Sequence, residues 1–85
     1  MNIRFLPHAL EQLVERSLDE SLVRQVLENP EQTVQEGFRK TAQRRYVDSR
    51  SGKDYLLRVV YEQRGQEMCV ITVYKTSKVS KYWRP

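Results

Sequence analysis

Two stretches of this chain, residues 54–61 and 67–75, are apolar on both faces, which leaves few folds open to it. A strand lying on a surface alternates apolar and polar side chains. Here Leu56, Leu57, Val59 and Val60, and then Cys69, Val70, Ile71 and Val73, run on without alternation. The spacer Gln63-Arg64-Gly65-Gln66 has turn chemistry, so the two stretches are predicted to pair as antiparallel strands. One charge interrupts them. Arg58 lies inside Leu56-Leu57-Arg58-Val59-Val60, on the face of Leu56 and Val60, where a guanidinium requires either an acidic partner or an open groove that admits a phosphate.

The other elements follow from changes of period. Residues 1–6 alternate enough, through Ile3 and Phe5, for a short strand, and Pro7 suits the first turn of a helix whose apolar stripe is Ala9, Leu10, Leu13 and Val14. A second helix begins near Asp19, with Leu18 stapling onto Val23. Ser17 with Glu20 forms a competing capping box, and the helix ends at Asn29-Pro30. Thr33 and Val34 suggest a brief strand. Residues 39–48 read as a polar strand, with Ala42, Arg44 and Tyr46 on one face and Gln43, Arg45 and Val47 on the other, expected at an edge or over a groove. Ser49-Arg50-Ser51-Gly52 is a turn. Consecutive strands with short loops imply a meander, so the expected class is α+β: two N-terminal helices packed on one face of an antiparallel sheet, the second face free for a ligand.

With 85 residues the chain is expected to be a single domain over residues 1–85. No apolar stretch approaches the roughly 20 residues of a membrane span, and no secretory leader pattern opens the sequence, so a cytoplasmic protein without membrane contact is expected. The single Cys69 falls in an apolar run and the single His8 is far from it, which predicts no metal site and no cofactor. Charge is divided: residues 1–36 carry three basic and seven acidic side chains, a balance of −4, and residues 37–85 carry twelve basic and four acidic, a balance of +8. That split points to polyanion binding at the C-terminal half without naming the polyanion, while the acidic half could equally keep the protein soluble or dock a basic partner.

Past the last strand the chain becomes basic and aromatic. Lys75, Lys78 and Lys81 offer attraction to a phosphodiester backbone, and Tyr82 and Trp83 offer flat faces for bases, although lysines in a tail are commonly just solvated. Lys75 is expected on the face of Cys69, Ile71 and Val73. Arg44 and Arg45 point to opposite faces, so only one shares Arg58's surface, and Arg45 is the candidate. His8, in the first turn of a helix, suits a neutral imidazole acting as a general base, or a side chain bracing the helix start. No Walker loop, dinucleotide glycine pattern or serine-hydrolase elbow is present. Metal-independent RNA cleavage fits this inventory, because the 2′-hydroxyl is already the nucleophile and the protein need only position it, move protons and stabilise charge.

The run Phe5-x-Pro7-His8-Ala9-x5-Glu15-Arg16-x-Leu18, then Val23-x2-Val26-Leu27-x-Asn29-Pro30, Leu57-Arg58-Val59-Val60 and residues 70–78, resembles a bacterial family of small single-domain proteins of unknown function. That family is similar to the RelE/ParE/BrnT group of toxin–antitoxin proteins. The resemblance implies a RelE-like helical pair on an antiparallel sheet, ribonuclease activity without metal, and an antitoxin-like protein partner. It also implies a site at Arg58, Lys75 and the tail, with His8 and Arg16 at the helix edge. Two readings stand side by side: a toxin-type endoribonuclease using His8, Arg58 and Lys75, with Arg16, Arg45, Lys78, Lys81 and Tyr82 on RNA, or a non-catalytic module that binds RNA or protein. A homodimer through the polar strand is a third.

Overall fold

The structure, a computed structural model, describes residues 2–85. In chain order it contains β1 (Asn2–Phe5), α1 (Pro7–Glu15), α2 (Glu20–Glu28), β2 (Gln32–Glu36), β3 (Arg39–Val47), β4 (Asp54–Arg64), β5 (Glu67–Thr76) and α3 (Val79–Tyr82). All five strands form one sheet in the order β1-β5-β4-β3-β2.

This architecture overturns the expected pair of N-terminal helices on an antiparallel meander. The sheet is mixed: β1 lies parallel beside β5, from Asn2 opposite Glu67 to Phe5 opposite Val70, and there are three short helices. Consecutive strands pair antiparallel from β2 to β5, but β1 does not follow that rule. β1 finds its partner at the far end of the chain, where Ile3 and Phe5 reach the core, and that non-local pairing leaves no local turn signal. Of the predicted first strand, Met1 lies outside the described residues. Of the two places expected for the polar strand, an edge or over a groove, the edge is ruled out, because β3 lies between β2 and β4.

One face carries the core. α1 packs against β5, and α2 against β3 and β4, burying Ala9, Leu13, Val23, Val26 and Leu27 on Leu57, Val59, Val70 and Val73. Each of the valines and leucines contributes about 1.5–3 kcal/mol by leaving water. α1 ends in a two-bond cap: Leu18 N–H donates to Leu13 O at 2.9 Å and Ser17 N–H to Val14 O at 3.2 Å, with Ser17 in the left-handed region at φ 50°. Asp19 then caps α2, accepting from Ser21 N–H at 2.9 Å and from its hydroxyl at 2.8 Å. Those Ser21 bonds, the side-chain one foremost, hold the Asp19 carboxyl below its usual range. Past the end of β1, side chains of α1 and of its C-cap take over the edge of β5. Gln12 Oε1 accepts from Val73 N–H at 2.9 Å, and Arg16 Nη1 donates to Val73 O at 3.0 Å.

β5 contains a bulge. Val60 pairs with Thr72 but Tyr61 pairs with Val70, so Ile71 is the extra residue. The side-chain parity of the strand changes there, and residues after it face the opposite side from the one simple alternation assigns.

Candidate functional site

Arg58 occupies the middle of β4 on the face turned away from α1 and α2, with Gln43 of β3 and Tyr74 of β5 as its cross-strand partners. It is only 8% exposed. Its Nε donates to Gln43 Oε1 at 2.9 Å and its Nη1 donates to the Tyr74 hydroxyl. Tyr82, from α3, lies with its ring centroid 4.2 Å from the guanidinium carbon and meets Tyr74 edge to face at 6.3 Å.

The ion pairs among the described residues are Arg4–Glu67, Arg24–Glu20, Arg39–Glu62, Arg45–Glu31 and Arg64–Glu62, and Arg58 is in none of them. Neutral oxygens and π faces solvate this charge but leave it uncompensated. Its position and its charge both suit an anion. Tyr74, having accepted from Arg58, keeps its own hydroxyl proton for a second partner.

Gln43 is the hub beneath this cage. Fully buried, it accepts from Arg58 with Oε1 and uses Nε2 to donate to Gln32 Oε1 at 2.7 Å and to Tyr82 O at 3.2 Å. Gln32 in turn grips the tail on both sides of one residue: its Nε2 donates to Arg84 O at 2.6 Å, and its Oε1 accepts from Arg84 N–H at 3.1 Å. Beside the cage, Arg45 stacks 4.2 Å from the Trp83 ring and lies 3.9 Å from Glu31. The sheet face expected to be free is therefore partly covered by the tail.

The structure brings Arg45, Arg58 and Tyr82 together, with Lys81 Nζ 5.2 Å from the Tyr82 ring and Lys78 exposed at the start of α3. Lys75 is elsewhere. Paired with Leu57 after the bulge, it sits on the helix-bearing face, 5.2 Å from the ring of Tyr55, which stacks on Tyr46. The expected face shared with Cys69 is thus wrong, and so is the expected grouping with Arg58. His8 is exposed in the first turn of α1 with no hydrogen bond to Arg58 or Tyr74, and Arg16 braces the β5 edge. A cleft lined by Gln25, Glu28, Asn29 and Arg44 opens at the end of α2, on the face opposite Arg58.

Sequence reasoning missed Gln43, Gln32 and the role of Tyr74. The only available signal for Gln43 was its place on the Arg45 face of a polar strand. Among the described residues no group of three or more His, Cys, Asp or Glu is placed to hold a metal, and no helix is long and apolar enough to cross a membrane.

No curated protein and no solved structure matches the chain. The family model that does match covers residues 5–75, which takes in Gln43, Arg58 and Tyr74 and stops short of α3. The chain belongs to the family described as Domain of unknown function (DUF4258).

Proposed function

We propose that this protein acts on RNA, as a metal-independent endoribonuclease of the toxin type, through the sheet face centred on Arg58. The observation that carries the reading is a guanidinium buried without a carboxylate, fixed by Gln43 and Tyr74 and bordered by Arg45 and Lys81. In this reading Arg58 binds a non-bridging phosphate oxygen and stabilises the charge that grows as the 2′-oxygen attacks phosphorus. The 2′-hydroxyl proton passes to solvent water as the bond from O2′ to phosphorus forms. Tyr74 hands its proton to the 5′-oxygen as the bond from phosphorus to O5′ breaks and is reprotonated from water, and Tyr82 and Trp83 stack against bases. The resemblance to the RelE/ParE/BrnT group supports the same class of activity and an antitoxin-like partner.

A second reading has its own support. His8 makes no bond to the cage and Lys75 faces the other way, so no side chain adjoining Arg58 is an obvious base for the 2′-hydroxyl. A module that binds RNA without cutting it needs no such base.

Both are tested by incubating purified protein with RNA in EDTA, alongside Arg58→Lys and Tyr74→Phe. Ribonuclease action predicts scission by the parent protein and a loss of about a hundredfold or more in each variant, since each removes one stabilising or proton-donating group. Salt-sensitive binding of intact RNA, weakened by Arg58→Lys, selects the binding module. RNA that is neither bound nor cut, with no growth arrest on expression, excludes both.

A further inference from the structure

An arginine 8% exposed cannot present its guanidinium to a phosphodiester while Tyr82 lies on it. We infer that residues 79–84 form a strap that closes over Arg58 and must lift for RNA to bind, and that Gln32 is its latch. This rests on the RNA-binding reading given above and adds the regulation of that same site.

The strap is fastened through Tyr82, Trp83 and Arg84: Arg58 and Tyr74 to the Tyr82 ring, Gln43 to the Tyr82 carbonyl, Arg45 to the Trp83 ring, and the paired bonds of Gln32 to Arg84. The Gln32–Arg84 bonds are exposed to water, which competes for them, and α3 buries none of its residues. When the strap lifts, Arg58 and Arg45 each lose an aromatic ring and face solvent. The freed rings of Tyr82 and Trp83 exchange a guanidinium for a base, so the strap becomes part of the bound state. Gln43 links the two events, because the carboxamide that orients Arg58 also holds the Tyr82 carbonyl.

Trp83 is the single tryptophan of the chain, so its fluorescence reports the strap without reference to RNA. The experiment measures acrylamide quenching of Trp83, and affinity for a 2′-O-methyl polyuridylate oligonucleotide that cannot be cleaved. It uses the full chain, Gln32→Leu and Arg84→Pro. Gln32→Leu removes both latch bonds at similar bulk and also the acceptor of one Gln43 Nε2 proton, whereas Arg84→Pro leaves that bond between Gln43 and Gln32 in place. Arg84→Pro removes the N–H that Gln32 accepts, at an exposed position whose preceding residue, Trp83, is already extended at φ −70°, ψ 129°.

In both variants quenching should rise and affinity should tighten by about five- to tenfold, because a larger fraction of molecules is open before binding. The gain in Arg84→Pro runs against its lost positive charge. Freed Trp83 with unchanged or weaker affinity in both variants overturns the strap while leaving the RNA reading intact. Quenching unchanged in both variants overturns it also, because Gln32 then holds nothing. Affinity indifferent to Arg58→Ala is a different failure, that of the RNA reading itself.

Discussion

A guanidinium at 8% exposure, surrounded by a carboxamide, a phenol and a stacked ring, loses its hydration and recovers only part of it from neutral partners. Deleting one partner leaves the other stranded, whereas replacing both by apolar groups of like shape removes the mismatch between them and leaves Gln32, Tyr74 and the Tyr82 carbonyl, all at the solvent side, to bond water. The double variant Arg58→Met/Gln43→Leu should therefore unfold in urea within about 1 kcal/mol of the parent or above it, while Gln43→Leu alone should lose about 2 kcal/mol. A double variant that is far less stable than either single one would mean that the cage is kept for stability. Arg58 was legible in the sequence because a charge inside an apolar run has no bland surface explanation. Gln43 and Tyr74 were not, since each meets Arg58 only through strand register, 15 and 16 residues away.

At the level of elements, the α1–α2 junction was readable and β5 was not. Leu18 and Asp19 carry their roles in local chemistry: a staple side chain packed against the core, next to a carboxylate that caps α2. Ile71, by contrast, sits in an unbroken apolar run where any residue fits either face, so nothing in the composition marks the bulge that sends Lys75 to the other side. The same junction holds a residue that is not the best choice for its backbone. Ser17 adopts φ 50° at the position after the α1 cap, where a side chain is disfavoured and glycine is the common occupant. Ser17→Gly should stabilise the protein by about 0.5–1 kcal/mol, raising the thermal midpoint by roughly 2–6 °C for a domain of this size. An unchanged or lower midpoint in calorimetry would show that the wider freedom of glycine in the unfolded chain outweighs the relief.

Across the whole molecule, the sequence division between residues 1–36 and 37–85 becomes in part a division between layers. α1, α2 and their junction carry Glu11, Glu15, Asp19, Glu20 and Glu28 against Arg16 and Arg24, while Arg45, Arg58, Lys78 and Lys81 belong to the opposite sheet face and the strap upon it. Lys40, Arg44 and Lys75 on the helix-bearing face offset the acids of the helices, whereas the strap side gathers Arg45, Arg58, Lys78 and Lys81, so a polyanion is drawn more strongly to the strap. Contact of these four cations with single-stranded RNA displaces counterions, giving a slope of about −3 in log affinity against log salt at about −0.7 per phosphate. Lys81→Ala should make that slope shallower by about 0.7, and Lys75→Ala, on the helix-bearing face beside Tyr55, should leave it unchanged. The reverse result, a slope that responds to Lys75 and ignores Lys81, would place RNA along the Tyr46–Tyr55 end of the helix face. The uncompensated charge of Arg58 would then have no part in binding it.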